Sequence, residues 1–157
     1  VLGPQWYGPV AVTGLVTFIF SNILALKQDE TNRLLGYSSI GQAGLATAVI
    51  GLGNILGENT FFIAGSIVAV HAIAKTGLFW LTDITGLKNL KDWGAVKKSP
   101  LVIFIAGSSI FSLIALPPFP TFFAKWTLIE KLAGTSNWLW IGLILLGSLV
   151  EAAYLAR

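Results

Sequence analysis

Residues 61–87 read FFIAGSIVAVHAIAKTGLFWLTDITGL. The run is long enough to cross a bilayer, since about 20 helical residues, rising about 1.5 Å each, span the hydrocarbon core. Yet it carries His71 and Lys75 near its middle, far from either end. The rest of the chain suits the same solvent. Of its 157 residues 55% are hydrophobic and only 11% charged, where a soluble domain carries about 25% charged residues, and the mean hydropathy is +0.78. Too few polar groups are present to cover a globule, so lipid is the expected surroundings and the expected fold is an all-α, polytopic transmembrane helix bundle.

Working outward from 61–87, four further apolar stretches appear. Helices are predicted at about 10–27, 33–56, 61–87, 99–133 and 137–156, in a single membrane domain over 1–157. The fourth is broken at 117–120, within Leu116-Pro117-Pro118-Phe119-Pro120. Three prolines in four residues remove three backbone donors and cannot continue a helix. In lipid the freed carbonyls need protein or water as partners, so a break at membrane depth points to a cavity or ion path. The competing reading is a plain interfacial turn between two helices. The loop after the first helix holds Lys27, Asp29, Glu30 and Arg33, and that after the third holds Lys88, Lys91, Asp92, Lys97 and Lys98. These loops, 27–33 and 87–98, fall on one side, which positive-inside logic makes cytoplasmic. A broken fourth helix that crosses once brings Arg157 to that side, whereas a full reversal at the prolines sends it to the other. Gly41, Gly44 and Ala48 give the second helix a small-residue face for close packing. Trp6, Trp93, Trp138 and Trp140 suit the interfacial belts. The chain begins at Val1 and has no methionine, so it is expected to be part of a longer protein.

The residues that could carry chemistry are the few charges in apolar segments. His71 and Lys75, at i and i+4, share a helix face. A lysine in lipid is costly unless it finds a partner or gives up its proton, and histidine exchanges protons readily near neutral pH. The pair therefore reads as adjacent stations of a proton relay, against the alternative of two groups that stabilise a water-lined helix contact. Lys125 follows the proline break and reads either as a further station or as an interfacial lysine. Glu130 is a candidate exit partner for Lys125. Asp83 is a candidate partner for Lys75 or a solvated helix end. Glu151 is either a relay group or an interfacial anchor, and Asn22 and Asn32 could hold water near helix ends. With no cysteine and one histidine, thiolate zinc, cysteine-ligated iron–sulfur and bis-histidine haem are excluded within this chain. No nucleophilic constellation is present, and the short basic loops give no surface for nucleic acid.

Several motifs together resemble a known family. Asp29-Glu-Thr-Asn-Arg-Leu-Leu-Gly-Tyr-Ser-Ser-Ile-Gly-Gln42, His71-Ala-Ile-Ala-Lys75-Thr-Gly-Leu-Phe79, Asn89-Leu-Lys-Asp-Trp-Gly94 followed by Ser99-Pro100, and Leu116-Pro-Pro-Phe-Pro-Thr-Phe-Phe-Ala-Lys125 occur in the order found in the antiporter-like, proton-translocating subunits of respiratory complex I, energy-converting hydrogenases and multisubunit cation/proton antiporters. The chain resembles the second of that family's two inverted five-helix repeats. Asn32 stands where many members have lysine and Thr121 where many have glycine; the latter makes the break stiffer. The Tyr37–Gln42 run resembles the complex I subunit beside the quinone-bearing part, and the His71/Lys75 pair resembles the distal or hydrogenase type.

The resemblance implies proton translocation by a Lys/His/water relay, with His71, Lys75, Lys125, Glu130 and Glu151 as candidate relay residues. It implies a membrane subunit without redox chemistry of its own, in a prokaryotic inner membrane or an organellar inner or thylakoid membrane. Other membrane subunits and lipid would surround it, and iron–sulfur clusters, flavin or quinone, or a nickel–iron centre would sit in peripheral partner subunits. The alternatives are a sodium/proton antiporter subunit and a structural membrane subunit without a proton path.

Overall fold

The computed structural model describes residues 3–157, the side chains of 95–98 excepted. Val1 and the side chains of Lys97 and Lys98, named above, lie outside the described residues. After a 3-10 turn at Pro4–Trp6 come α1 (Tyr7–Ala25), α2 (Thr31–Gly51), α3 (Gly53–Leu56), α4 (Asn59–Thr85), a 3-10 stretch at Leu90–Lys98, α5 (Pro100–Ile114), α6 (Pro120–Gly134) and α7 (Trp138–Leu155). Among the described residues there is no strand, only an isolated bridge between Glu30 and Asn89. The fold is the expected all-α membrane bundle with a broken helix.

Sequence chemistry accounts for the element ends. The segment expected at 33–56 is divided at Leu52, and Gly57, at φ 58°, turns the chain into α4. Gly86 ends α4 at φ 68°, in the left-handed region that suits glycine at a helix C-terminus. At the break, the amides of Ala115 and Leu116 close the last turn of α5 on Ser112 and Phe111, and Pro120 opens α6 at its first position, where a missing N–H costs nothing. α5 and α6 have 15 residues each, about 22 Å apiece, so neither crosses the hydrocarbon core alone.

Among the described residues three helical segments are long and apolar enough to span a membrane: Pro4–Ala25, Asn59–Thr85 and Trp138–Leu155. α2 is long enough at 21 residues but is not among them, because Asn32, Arg33, Ser38, Ser39 and Gln42 make it polar. It tolerates this because it is the inner helix, packed along α1 and against α4. The α1–α2 contact is backbone on backbone. A Cβ added to Gly14 would lie 2.3 Å from the Ala48 nitrogen, and one added to Gly51 would lie 2.1 Å from that of Ala11.

The ends of the bundle settle how the break is used. Thr31 N–H donates to Lys88 O at 2.8 Å and Leu90 N–H to Asp29 O at 3.0 Å, which ties the two basic loops together. The Arg157 guanidinium donates to Leu26 O and Gln28 O and pairs with Asp29 at 3.2 Å. Arg157 is thus at the end that carries both loops, and α5 with α6 makes one interrupted crossing.

Two apolar clusters form the core. One gathers Leu45, Val49, Ile63, Ile67, Leu128 and Ile144; the other, nearer the tied loops, gathers Leu34, Leu35, Leu78, Leu113 and Tyr154. Between them along the helices fall Ser38–Gln42 of α2, His71 of α4, and Ser148 and Glu151 of α7. A polar layer therefore crosses the bundle at mid-depth.

Candidate functional site

The layer begins on α4. His71 is partly buried, and its Nε2 lies 3.4 Å from Ser39 Oγ. One turn on, Lys75 is 4% exposed, and its ammonium donates to Leu35 O at 2.8 Å. Leu35 O also accepts the Ser39 hydroxyl at 3.0 Å. The face of α2 turned toward α4 is set by spacing: positions 35, 38, 39 and 42 recur at the i, i+3, i+4, i+7 interval of one helical stripe.

The layer continues to α6 and α7. Glu151 is 0% exposed. Gln42 Nε2 donates to both of its carboxylate oxygens, at 2.6 and 2.7 Å, and Lys125 Nζ donates to Oε2 at 3.1 Å and to Ser148 Oγ at 3.3 Å. An ion pair at this depth stands only when further hydrogen bonds satisfy both partners, and Gln42 and Ser148 supply them. Lys125 also lines a cavity of about 280 Å3 at the helix break, with Ala115, Phe122, Trp126, Ile144 and Ser148. Beside the pair, Tyr154 donates its hydroxyl to Asn22 Oδ1 at 3.0 Å, and Asn22 Nδ2 donates to Gly147 O at 3.3 Å. The Oγ of Ser38, Oε1 of Gln42 and Oγ1 of Thr121 are buried without a protein partner. Lys75 lies within electrostatic reach of Glu151, and His71 within reach of both lysines.

The structure therefore brings together His71, Lys75, Lys125 and Glu151. The reading of Glu151 as an interfacial anchor is overturned by its burial against Lys125. Glu130 is not brought in. It is exposed, because five residues along α6 rotate it about 140° from Lys125. Asp83 is exposed near the end of α4 and Asn32 is exposed at the start of α2, so Lys75 has a carbonyl rather than Asp83 as its partner. Asn22 is at the core, not at a wet helix end. Among the described residues no three His, Cys, Asp or Glu side chains converge as a metal site.

Comparison with known proteins decides the family. The profile described as "NADH:quinone oxidoreductase/Mrp antiporter, TM" matches residues 1–150. The chain belongs to this family. Among relatives, NADH-quinone oxidoreductase subunit N of Desulforudis audaxviator is 31% identical over 160 residues, covering 98% of this chain and 30% of that one. Subunit N 2 of Hydrogenobaculum sp. is 30% identical over 92% of this chain and 32% of its own. The Na(+)/H(+) antiporter subunit A1 of Staphylococcus haemolyticus is 26% identical over 84% of this chain and 18% of its own. The chain thus spans about a third of the subunit N relatives and less of the antiporter subunit. As a member of the oxidoreductase/antiporter family it is an integral membrane protein. In this family member, sequence reasoning passed over the roles of Ser39, Gln42 and Ser148. The signal available was the recurrence of polar residues on one stripe of α2 inside an otherwise apolar segment.

Proposed function

We propose that the chain translocates protons as an antiporter-like subunit of a redox-driven complex, an NADH:quinone oxidoreductase or a related membrane-bound hydrogenase. The observation that carries this is the layer midway along the helices that holds two buried lysines, a buried glutamate and a partly buried histidine. Intramembrane ionisable groups are expensive and are kept where ions or protons pass. In this reading protons move from His71 to Lys75 and on to the Lys125–Glu151 pair. Ordered water, held at the unpartnered oxygens of Ser38, Gln42 and Thr121 and in the cavity beside Lys125, bridges the gap between the lysines. The helix break gives Lys125 its outlet. Coupling is electrostatic, since a proton gained at one station raises the cost of charge at the next.

The partners proposed are other membrane subunits, lipid, and peripheral redox subunits that hold iron–sulfur clusters, flavin and quinone or a nickel–iron centre. The chain itself would be a non-redox membrane domain of a longer antiporter-like subunit, in a prokaryotic inner membrane or its organellar equivalent, with the loops 27–33 and 87–98 facing the cytoplasm or the equivalent compartment. The test is Lys125→Ala in the assembled complex. Proton pumping should fall sharply while much of the electron transfer remains, and an unchanged pumping stoichiometry overturns the assignment. The likeness to an Na(+)/H(+) antiporter subunit supports a second reading, exchange of sodium for protons through the same residues. Transport that requires sodium in reconstituted vesicles would select it.

A further inference from the structure

Among the described residues two side-chain amides are buried, Asn22 at 1% exposure and Gln42 at 3%, and they are held differently. Asn22 is tied at both ends. Its Nδ2 donates to Gly147 O at 3.3 Å and its Oδ1 accepts the Tyr154 hydroxyl at 3.0 Å, so a half-turn of the amide would set oxygen against oxygen. Gln42 is tied at one end only. Its Nε2 donates to both carboxylate oxygens of Glu151, at 2.6 and 2.7 Å, while its Oε1 is buried without a protein partner. A buried acceptor left unmatched costs free energy, and no hydrogen bond at that end holds the amide against a half-turn.

We infer that Gln42 is a positioning residue that lets Glu151 alternate between carboxylate and carboxylic acid during transport. Its amide donates to the carboxylate, the arrangement seen here, and turns over to accept from the acid. The inference rests on the relay reading above and specifies how Glu151 takes part in it. An ionised carboxyl group only accepts hydrogen bonds, whereas a protonated one has an O–H to donate. A partner that could only donate would suit the first form alone. A primary amide carries a donor end and an acceptor end of nearly equal size, on a terminal torsion that is soft. After a half-turn Oε1 stands where Nε2 stands now, within reach of either carboxyl oxygen. The cycle starts from the Glu151 carboxylate against the Lys125 ammonium. Once Lys125 has released a proton into the cavity beside it, the proton that arrives through the relay bonds to Glu151, and Gln42 turns its oxygen to the new O–H. That O–H bond then breaks as Lys125 Nζ, in direct contact with Oε2 at 3.1 Å, takes the proton. Carboxylate and ammonium are restored and Gln42 turns back, with one proton moved and none lost.

Methionine and histidine at position 42 test this. Methionine is close to glutamine in shape and has neither end of the amide. A neutral histidine presents a ring nitrogen that donates in one tautomer and accepts in the other. In the assembled complex, reconstituted into vesicles, Gln42→Met should slow proton pumping about tenfold or more, the effect of one hydrogen bond to a charged group, with electron transfer retained. Gln42→His should keep at least half of the wild-type rate. The infrared difference spectrum of the wild-type complex in turnover should show a carboxylic-acid carbonyl band that Glu151→Gln removes. Gln42→Met should move that band to higher frequency, because the acid has lost its acceptor. Pumping by Gln42→Met at the wild-type rate overturns the inference, as does a Gln42→His variant as slow as Gln42→Met, or a band that is missing from the wild type or unmoved in Gln42→Met. If Gln42→Met does not assemble, the wild-type band and the Gln42→His rate still decide the matter. Lys125→Ala and Glu151→Gln are measured for pumping alongside. If these two stop it while Gln42→Met does not, the relay stands and Gln42 has no part in it. If neither affects pumping, the relay itself is wrong.

Discussion

Lys125 and Lys75 are both buried, on neighbouring helices, and they are held differently. Lys125 faces a carboxylate that Gln42 grips from the other side. Lys75 faces a backbone carbonyl whose oxygen already serves α2. In the first region a fixed negative charge balances the lysine, so its surroundings are adapted to an ammonium. In the second the lysine's direct partner is a backbone carbonyl, and no carboxylate touches it. In the proposed relay the carboxylate-paired lysine lies just after the break in α5–α6 and the carbonyl-bound one in the middle of α4.

The largest expected effect breaks the first region. Glu151→Ala leaves the Lys125 ammonium buried without its counter-charge, and removal of one member of a buried pair costs about 3–5 kcal/mol. The detergent-solubilised complex should unfold at a markedly lower temperature than wild type. The double variant Glu151→Leu with Lys125→Met should recover most of that stability and still fail to pump, which separates the structural role of the pair from its transport role. Lys75→Met tests the other side of the comparison. Replacing a lysine whose direct partner is a carbonyl with an apolar side chain of similar length should leave thermal stability unchanged or slightly raised, while pumping is lost. A stability loss as large as that of Glu151→Ala would show that the two lysines are held alike.

Much of this contrast was legible in the sequence, and part was not. The stations His71 and Lys75 announce themselves because nothing else within 61–80 is charged, and the break announces itself in Pro117, Pro118 and Pro120. Glu151 misled because Tyr154 and Arg157 follow it closely and resemble an interfacial end. Its burial depends on Gln42, 109 positions away, and no local pattern encodes that contact. Glu130 misled in the opposite sense, since nearness in sequence to Lys125 conceals the rotation that turns it outward. The fold was legible, α2 included, except that the segment expected at 33–56 is divided at Leu52.

Two smaller effects sharpen the comparison. Gly147→Ala would place a Cβ 2.3 Å from the Phe18 ring, one helical turn from Glu151. Overpacking of this sort costs about 1–3 kcal/mol, and it should disturb the Lys125 region while the Lys75 contact survives. Cross-linking of cysteine pairs placed across α1–α7 and across α2–α4 would report the difference, with only the first pair altered. Smallest is Arg157→Ala. Its pair with Asp29 is solvent-exposed, and such pairs contribute less than about 1 kcal/mol, so neither lysine region should change in pumping or in melting temperature.

The polarity of α2 also bears on how the protein is made. A helix that carries Asn32, Arg33, Ser38, Ser39 and Gln42 gains little by leaving a translocation channel for lipid on its own. α1 gains a great deal, and the glycine contacts at Gly14, Gly44 and Gly51 let the two lie backbone against backbone. Packing this close favours entry of α1 and α2 into the bilayer together, as a hairpin. Larger side chains at those glycines would act during biogenesis, stranding the helix that offers Leu35 O to Lys75 and Gln42 to Glu151.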